Sequence, residues 1–298
     1  MHRCHGARIT SPDEFNQCLD LFQEKGYCEI DTARVYDAGR QEAFTREAHW
    51  KERGLPIATK WYPLGAGSHR AKMLKEKLEG SLRELGTDCL DVFYLHGADR
   101  STVFAETFRR WMSCTVKANS SSLPEHSTPS LFPPVTDTAS TWSFSTHSLE
   151  GSSGKYKSTD EPTDGRFSEK SSYQGKTYRW RYFKPSVCRA LEVALEVPEP
   201  VVEKYGLTLV EVALRWCVRH SGLNIVRGKD GVVTGFSSLG QLQGNLADLE
   251  KGPLPAEVVD ALDQAWLITE ADSSTFWHGE LKYAYDTEDA LFGKKDSK

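Results

Sequence analysis

The sequence lacks the features that mark three large classes of protein. No apolar run approaches the roughly 18 residues that a membrane-spanning helix needs, so we predict no membrane partner. The N-terminal stretch MHRCHGARITSP contains no apolar segment, so we expect no secretory signal. The net charge of −5 comes from mixed acids and bases, which is not the pattern of a nucleic-acid-binding surface. We therefore expect a cytoplasmic protein without a nucleic-acid partner.

The cysteines lack the pairing that a disulfide framework or a zinc site would need. There are 7 of them, an odd number, with irregular spacing and no C-x-x-C pair. In a chain without a secretory signal this indicates reduced thiols. His2, Cys4 and His5 are close in sequence, but no further ligand set accompanies them. We predict no metal site.

Basic residues are missing from one long stretch of the chain. No lysine or arginine occurs between Lys117 and Lys155, and 20 of the 35 residues at 119–153 are Ser, Thr or Pro. Such a composition buries too little apolar surface to offset the entropy of ordering the chain. We predict residues 111–153 as a disordered or aberrant segment, and residues 271–298 as a C-terminal tail.

Outside that stretch the sequence contains clear helix patterns. Ser11 and Pro12 begin an apolar-faced segment with a Ser11/Glu14 capping box, and Gly26 ends it. Four further segments have helical spacing of their leucines or other apolar residues: RAKMLKEKLEGSLRELG (70–86), TLVEVALRWCVRH (208–220), SSLGQLQGNLADLEKG (237–252) and PAEVVDALDQAWLI (255–268).

Strand patterns alternate with these helices. Three candidate strands, the last of them apolar enough to be buried on both faces, end at Asp31, Lys60 and His96, roughly 30–36 residues apart. This spacing is typical of a βα repeat, and the alternation predicts an α/β fold with a parallel sheet. A fourth strand is predicted at GVVTGF (231–236).

Four polar residues follow or end the candidate strands: Asp31, Tyr36, Lys60 and His96. In a closed βα barrel these strand ends form the active-site face. A phenol ordinarily has a pKa near 10, and a neighbouring ammonium group favours the phenolate, so a tyrosine beside a lysine is a workable general acid. Asp31 would hold the lysine charged, and His96 could orient a carbonyl or assist its protonation.

Each of these residues also has an ordinary structural interpretation. Asp31 could cap a turn, and Tyr36 and Lys60 could be rim or surface residues. His96 after an apolar strand could be a core-edge histidine. The residues alone leave both interpretations open.

Several motifs, in order along the chain, resemble the aldo-keto reductases of the aflatoxin-aldehyde-reductase type, including fungal homologues. In the first part they are EIDTARVY (29–36), ATKW (58–61) and FYLHGADR (93–100). The later ones are GKYK, DGRF, YRWRYF, ALRWCVRHS, GFSSLGQLQGN and GPLPAEVVDALDQAW. The likeness covers residues 6–110 and 154–270. It implies an α/β fold derived from a (β/α)8 TIM barrel, divided into an N-terminal and a C-terminal part.

The resemblance implies an enzyme that reduces an aldehyde or ketone with NADPH. The catalytic tetrad would be Asp31, Tyr36, Lys60 and His96, with Tyr36 as the proton donor. Family members often dimerise, so a homodimer is an expectation, and fungal members often serve secondary metabolism.

The resemblance also implies the cofactor contacts. Lys155 and Arg166 would lie along the pyrophosphate and adenosine, and Asp31 would also contact the cofactor. The adenosine phosphate would meet residues at the start of a helix, where phosphates are favoured: Ser237, Ser238, Gln241 and Asn245. The two serines are also ordinary helix-start residues.

The sequence departs from the family in its middle. About four of the eight strands are recognisable, so the resemblance implies an incomplete barrel. Two explanations stay open: an intron or frame error between about 111 and 153, or a genuine but degenerate protein. The alternative function is therefore a non-catalytic relic that binds a nucleotide or a partner subunit.

Overall fold

The computed structural model describes residues 8–107, 192, 194–225, 230–272 and 282–292. Most of them fall into two compact units, described separately below. The first unit contains residues 9–107 and 282–292, and the second contains residues 194–225 and 230–272. The segment predicted at 111–153 lies outside the described residues.

The first unit alternates helices with parallel strands. Its elements are, in chain order, α1 (Pro12–Glu24), β1 (Ile30–Asp31), a 3-10 turn (Tyr36–Gly39), α2 (Gln41–Glu47), β2 (Ile57–Trp61), α3 (Ala71–Leu85) and β3 (Val92–Leu95). The strands form a parallel sheet in the order β1-β2-β3. The predicted α/β alternation is confirmed in this unit.

Helix α1 begins and ends at the predicted residues. The Ser11 hydroxyl accepts a hydrogen bond from the Asp13 amide at 3.2 Å, which satisfies an amide that has no partner within the helix. At the other end Gly26 adopts φ +82°, and the Tyr27 amide donates to the Phe22 carbonyl at 3.1 Å. A left-handed glycine of this kind is a common way to end a helix.

The core of the first unit lies between the sheet and its helices. Trp50, Ile57 and Leu85 form one buried cluster, and the Trp50 indole N–H donates to the Leu85 carbonyl at 3.1 Å. The Ile57 amide donates to the Asp91 carboxylate at 2.8 Å. This bond accounts for the acid that interrupts the apolar run before β3.

Strand β3 is less buried than the sequence suggests. Val92 is 41% exposed and Tyr94 is 46% exposed, so the prediction of burial on both faces is wrong for these side chains. Among the described residues β3 is an edge strand, paired only with β2. An apolar run reveals β propensity, whereas burial depends on which neighbours cover the strand.

The second unit consists of helices. They are α4 (Glu199–Lys204), α5 (Leu209–Arg219), α6 (Leu239–Glu250) and α7 (Ala256–Thr269). A later helix of the chain, α8 (Thr287–Phe292), belongs to the first unit. The apolar faces of α4, α5 and α7 meet in one buried cluster, with Leu254 from the segment before α7: Val202, Val212, Trp216, Cys217, Leu254, Val258 and Leu262. The helices predicted at 208–220, 237–252 and 255–268 are thus confirmed. No helix in the described ranges is both long and apolar enough to span a bilayer.

The prediction of a strand at 231–236 is wrong. These residues have no regular secondary structure, and Val233 is exposed. A strand requires a partner for its backbone amides and carbonyls, and within the described ranges this segment pairs with none. Two consecutive valines supplied the propensity without that partner.

Candidate active site

Three of the predicted site residues lie at one edge of the parallel sheet. Asp31 ends β1, Lys60 lies near the end of β2, and His96 follows β3 directly. The strands are in register, with Asp31 beside Ala58 and Lys60 beside Tyr94. Because parallel strands run the same way, their carboxyl ends meet at this edge.

Lys60 is held between two oxygen acceptors. Its ammonium group forms an ion pair with the Asp31 carboxylate and donates to the Thr32 carbonyl at 3.0 Å. The side chains of Lys60 and Asp31 are only 11% and 20% exposed. Burial lowers the pKa of Lys60 from its usual value, and the hydrogen bond and charge of Asp31 oppose that shift.

Tyr36 lies over this ion pair. It begins the 3-10 turn after β1, and its amide donates to the Ala33 carbonyl at 3.1 Å. The Lys60 ammonium lies 5.3 Å from the centre of its ring. The ring also meets the His96 imidazole edge-on, with centroids 5.5 Å apart and an interplanar angle of 80°. Asp31, Tyr36, Lys60 and His96 therefore form one cluster.

His96 is partly buried and lies between two aromatic rings and a cation. Tyr62 makes a second edge-on contact, with centroids 5.6 Å from the imidazole. Burial lowers the pKa of His96 to about 4, and the positive charge of Lys60 adds to that shift. Its Nδ1 is buried and has no hydrogen-bond partner among the described atoms. At neutral pH the ring is therefore uncharged.

Two features of this cluster were not predicted. Tyr62 follows β2 two residues after Lys60, and only its position just past a strand end could have indicated it. Glu42 on α2 is 0% exposed and contacts both Thr59 and Arg34. A glutamate after a turn is ordinarily expected in solvent, so no sequence signal indicated its burial.

The predicted phosphate residues lie at the start of α6 in the second unit. Ser238 caps the helix by accepting from the Gln241 amide at 3.2 Å. The Ser237 amide and hydroxyl both donate to the Gln241 side-chain oxygen, at 2.7 and 2.9 Å, and Asn245 donates to the Gly235 carbonyl at 3.3 Å. Lys155 and Arg166 lie outside the described residues.

This helix start has the donors that suit a phosphate group. It combines the Ser238 hydroxyl, which can donate its own hydrogen while it accepts from the Gln241 amide, with the positive end of a 12-residue helix. Among the described residues, a Cβ at Gly240, in that first turn, would meet no atom within 4 Å. The residues present therefore fit the phosphate end of a dinucleotide.

The sequence and the fold are similar to those of known proteins. The model of the Aldo/keto reductase family matches residues 4–116 and 147–267. An aldo-keto reductase of Pseudocercospora fijiensis is 31% identical, over 87% of this chain and 99% of that protein. Human aflatoxin B1 aldehyde reductase member 2 is 30% identical, over 88% of this chain and 84% of that protein.

A solved structure has the same fold. The glycerol dehydrogenase AKR11B4 of Gluconobacter oxydans superimposes with a TM-score of 0.57 at 18% identity, over 94% of this chain and 93% of that one. The match supports the predicted fold class, an α/β fold of the aldo-keto reductase barrel type.

Proposed function

The chain belongs to the aldo/keto reductase family, a family of oxidoreductases, and from that premise we propose that it reduces an aldehyde or ketone to the alcohol with NADPH. Tyr36 is the general acid, Lys60 and Asp31 support it, and His96 orients the substrate carbonyl. The observation that carries the proposal is the Lys60 ammonium between the Asp31 carboxylate and the Tyr36 ring.

The cofactor would be held by residues that suit its phosphates. Ser237, Ser238, Gln241 and Asn245 would bind the adenosine phosphate at the start of α6, and Lys155 and Arg166 would supply positive charge. Asp31 would also contact the cofactor. When bound, the nicotinamide supplies the hydride that the substrate carbon accepts.

The chain's own groups supply the proton. As the carbonyl oxygen gains negative charge, the Tyr36 hydroxyl donates its proton to that oxygen and becomes a phenolate. The Lys60 ammonium stabilises the phenolate, and Asp31 keeps that ammonium at the strand end. His96 has a pKa of about 4, so at neutral pH it is a neutral hydrogen-bonding group rather than a proton donor.

The test is the rate of NADPH consumption with 4-nitrobenzaldehyde by the purified chain and by Tyr36→Phe. Loss of a general acid should lower kcat by about 100- to 10,000-fold. Tyr205→Phe is the matched control, because Tyr205 is exposed and its hydroxyl is bonded to Glu257 in the second unit. The control should keep the wild-type rate. An unchanged rate in Tyr36→Phe would refute the assignment of Tyr36.

The alternative function has its own signature in the same assay. NADP+ that quenches tryptophan fluorescence of the wild type, without any turnover of NADPH, would indicate a nucleotide-binding relic. Turnover that depends on Tyr36 would exclude it.

A further inference from the structure

One buried carboxylate links the two segments that carry the proposed acid and its lysine. Glu42 on α2 is 0% exposed. Its Oε1 accepts from the Thr59 hydroxyl at 2.8 Å, and its Oε2 accepts from the Arg34 guanidinium at 3.1 Å. Glu42 is therefore fully buried and bonded on both oxygens, by a strand on one side and by a loop on the other.

Both partners of Glu42 are close in sequence to proposed site residues. Thr59 directly precedes Lys60 on β2, and Arg34 precedes Tyr36 by two residues. The Arg34 amide donates to the Lys60 carbonyl at 3.1 Å, and its guanidinium also donates to the Gly39 carbonyl at 3.1 Å. The contacts of Glu42 thus reach the Lys60 strand and both sides of the Tyr36 turn.

The turn that carries Tyr36 has backbone that must be held in place. Asp37 and Ala38 adopt φ values of 48° and 55°. This left-handed region is disfavoured for residues with a Cβ, and it persists where surrounding contacts determine it. The bonds from Arg34 to Gly39 and to Glu42 supply contacts of this kind.

We propose that Glu42 is a positioning residue that fixes the Tyr36 hydroxyl relative to Lys60. It does so through Arg34 and Thr59 and touches neither substrate nor cofactor. The proposal rests on the proposed function, because its effect on rate requires Tyr36 to be the acid. Its geometric part concerns the place of the Tyr36 ring and is measurable without turnover.

The kinetic experiment compares Glu42→Gln with Glu211→Gln. Glu211 is a nearly buried glutamate bonded to Arg215 in the second unit, so the two variants make the same chemical change. Glu42→Gln should lower kcat by about 10- to 100-fold, as expected of a small misplacement, and leave KM for NADPH unchanged. Glu211→Gln should keep the wild-type kcat at temperatures where it is folded.

A second pair of variants separates positioning from folding. Thr59→Val keeps the shape of the side chain but removes the hydroxyl, and Thr59→Ser restores it. Thr59→Val should repeat the kcat loss of Glu42→Gln, and Thr59→Ser should rescue it. This pair also takes over the test if Glu42→Gln does not melt cooperatively.

The geometric experiment uses the imidazole that lies edge-on to Tyr36. The ring current of Tyr36 shifts the Hε1 proton resonance of His96, which is assigned by its loss in His96→Gln. Tyr36→Leu gives the size of the full ring contribution. Glu42→Gln and Thr59→Val should move the resonance toward that value, whereas Glu211→Gln should not.

The outcomes distinguish the two proposals. The positioning role would be overturned if Glu42→Gln had the same His96 resonance and the same kcat as Glu211→Gln. Full activity in Tyr36→Phe would instead overturn the proposed function, and the His96 resonance would still decide whether Glu42 places the ring.

Discussion

The two units each contain a buried carboxylate that is paired with an arginine, and the two pairs have different surroundings. Glu211 and Arg215 are one turn apart on α5, with oxygen and nitrogen 2.7 Å apart. Glu42 and Arg34 lie on different segments, and the Glu42 carboxylate oxygen is 3.1 Å from the Arg34 guanidinium nitrogen. The first pair is local, whereas the second joins a loop to a helix.

Their further bonds lead to different places. Arg215 also donates to the Gly252 and Pro253 carbonyls at 2.9 and 2.7 Å, so it fastens α5 to the segment before α7. Glu42 also accepts from Thr59, next to Lys60. A buried carboxylate that is paired with an arginine therefore does not by itself indicate a functional site. What distinguishes the Glu42 pair is the proposed site residues to which its partners are joined.

The largest expected effect on the free energy of unfolding comes from replacing the two arginines. Arg34→Met leaves the buried Glu42 carboxylate with the Thr59 hydroxyl as its one partner among the described residues, which should cost about 3–5 kcal/mol of unfolding free energy. Arg215→Met leaves Glu211, 8% exposed, with Lys251 at 3.0 Å, so the loss should be about 1–2 kcal/mol. The carbonyls of Gly252 and Pro253 belong to exposed residues and can bind water instead.

Urea unfolding at neutral pH measures both losses. Glu42→Gln in combination with Arg34→Met is the internal control, because removing the stranded charge should recover part of the stability. Equal losses in the two arginine variants would show that the second cation at Glu211 contributes nothing.

The sequence predicted most of what local rules determine. Ser11 and Ser238 cap their helices as expected, and Gly26 ends α1 with positive φ. The strand ends at Asp31, Lys60 and His96 follow from the repeat length, and the structure brings these residues together with Tyr36. Caps, turns and repeat spacing depend on neighbours in sequence, so a single sequence contains the information.

The features that were missed depend on neighbours in space. The segment at 231–236 has valines but lacks a pairing strand within the described residues, and Val92 and Tyr94 of β3 are exposed. Glu42 is buried because Arg34 and Thr59 converge on it from two other segments. Nothing in the residues beside Glu42 carries that information.

An intermediate effect, on the pH dependence of stability, is expected from replacing one histidine in each unit. Burial lowers the pKa of both His96 and His220, and Lys60 and Arg215 respectively add to the shift. A depressed folded pKa means that the unfolded chain binds the proton more readily. The stability that neutral His96 contributes is therefore present above pH 6.5 and lost as pH falls toward 4.

The measurement is Tm from pH 7 to pH 4 in wild type, His96→Asn and His220→Asn. His96→Asn should flatten the wild-type decline by about 2–4 °C, corresponding to about 1 kcal/mol for a partly exposed, screened group. The flattening in His220→Asn should be smaller, because the negative charge of Asp263 opposes the lowering of the pKa of His220, whereas the charge of Lys60 adds to the lowering at His96. A wild-type slope in His96→Asn would mean that His96 keeps an ordinary pKa.

Two helix caps of the second unit distinguish a cap that only stabilises from one that would also bind phosphate. Thr208 caps α5 by accepting from the Glu211 amide at 3.1 Å, and Ser238 caps α6 by accepting from the Gln241 amide at 3.2 Å. The two bonds have the same geometry, so Thr208→Ala and Ser238→Ala should each lose about 1 kcal/mol of stability.

Only the Ser238 hydroxyl lies in the proposed phosphate region. A hydrogen bond to a charged group contributes about 1.5–3 kcal/mol, so Ser238→Ala should weaken NADPH binding by about tenfold or more, read as tryptophan quenching. Thr208→Ala should keep the wild-type affinity. Equal affinities in the two variants would leave Ser238 a cap alone, and the adenosine phosphate would have to be held elsewhere.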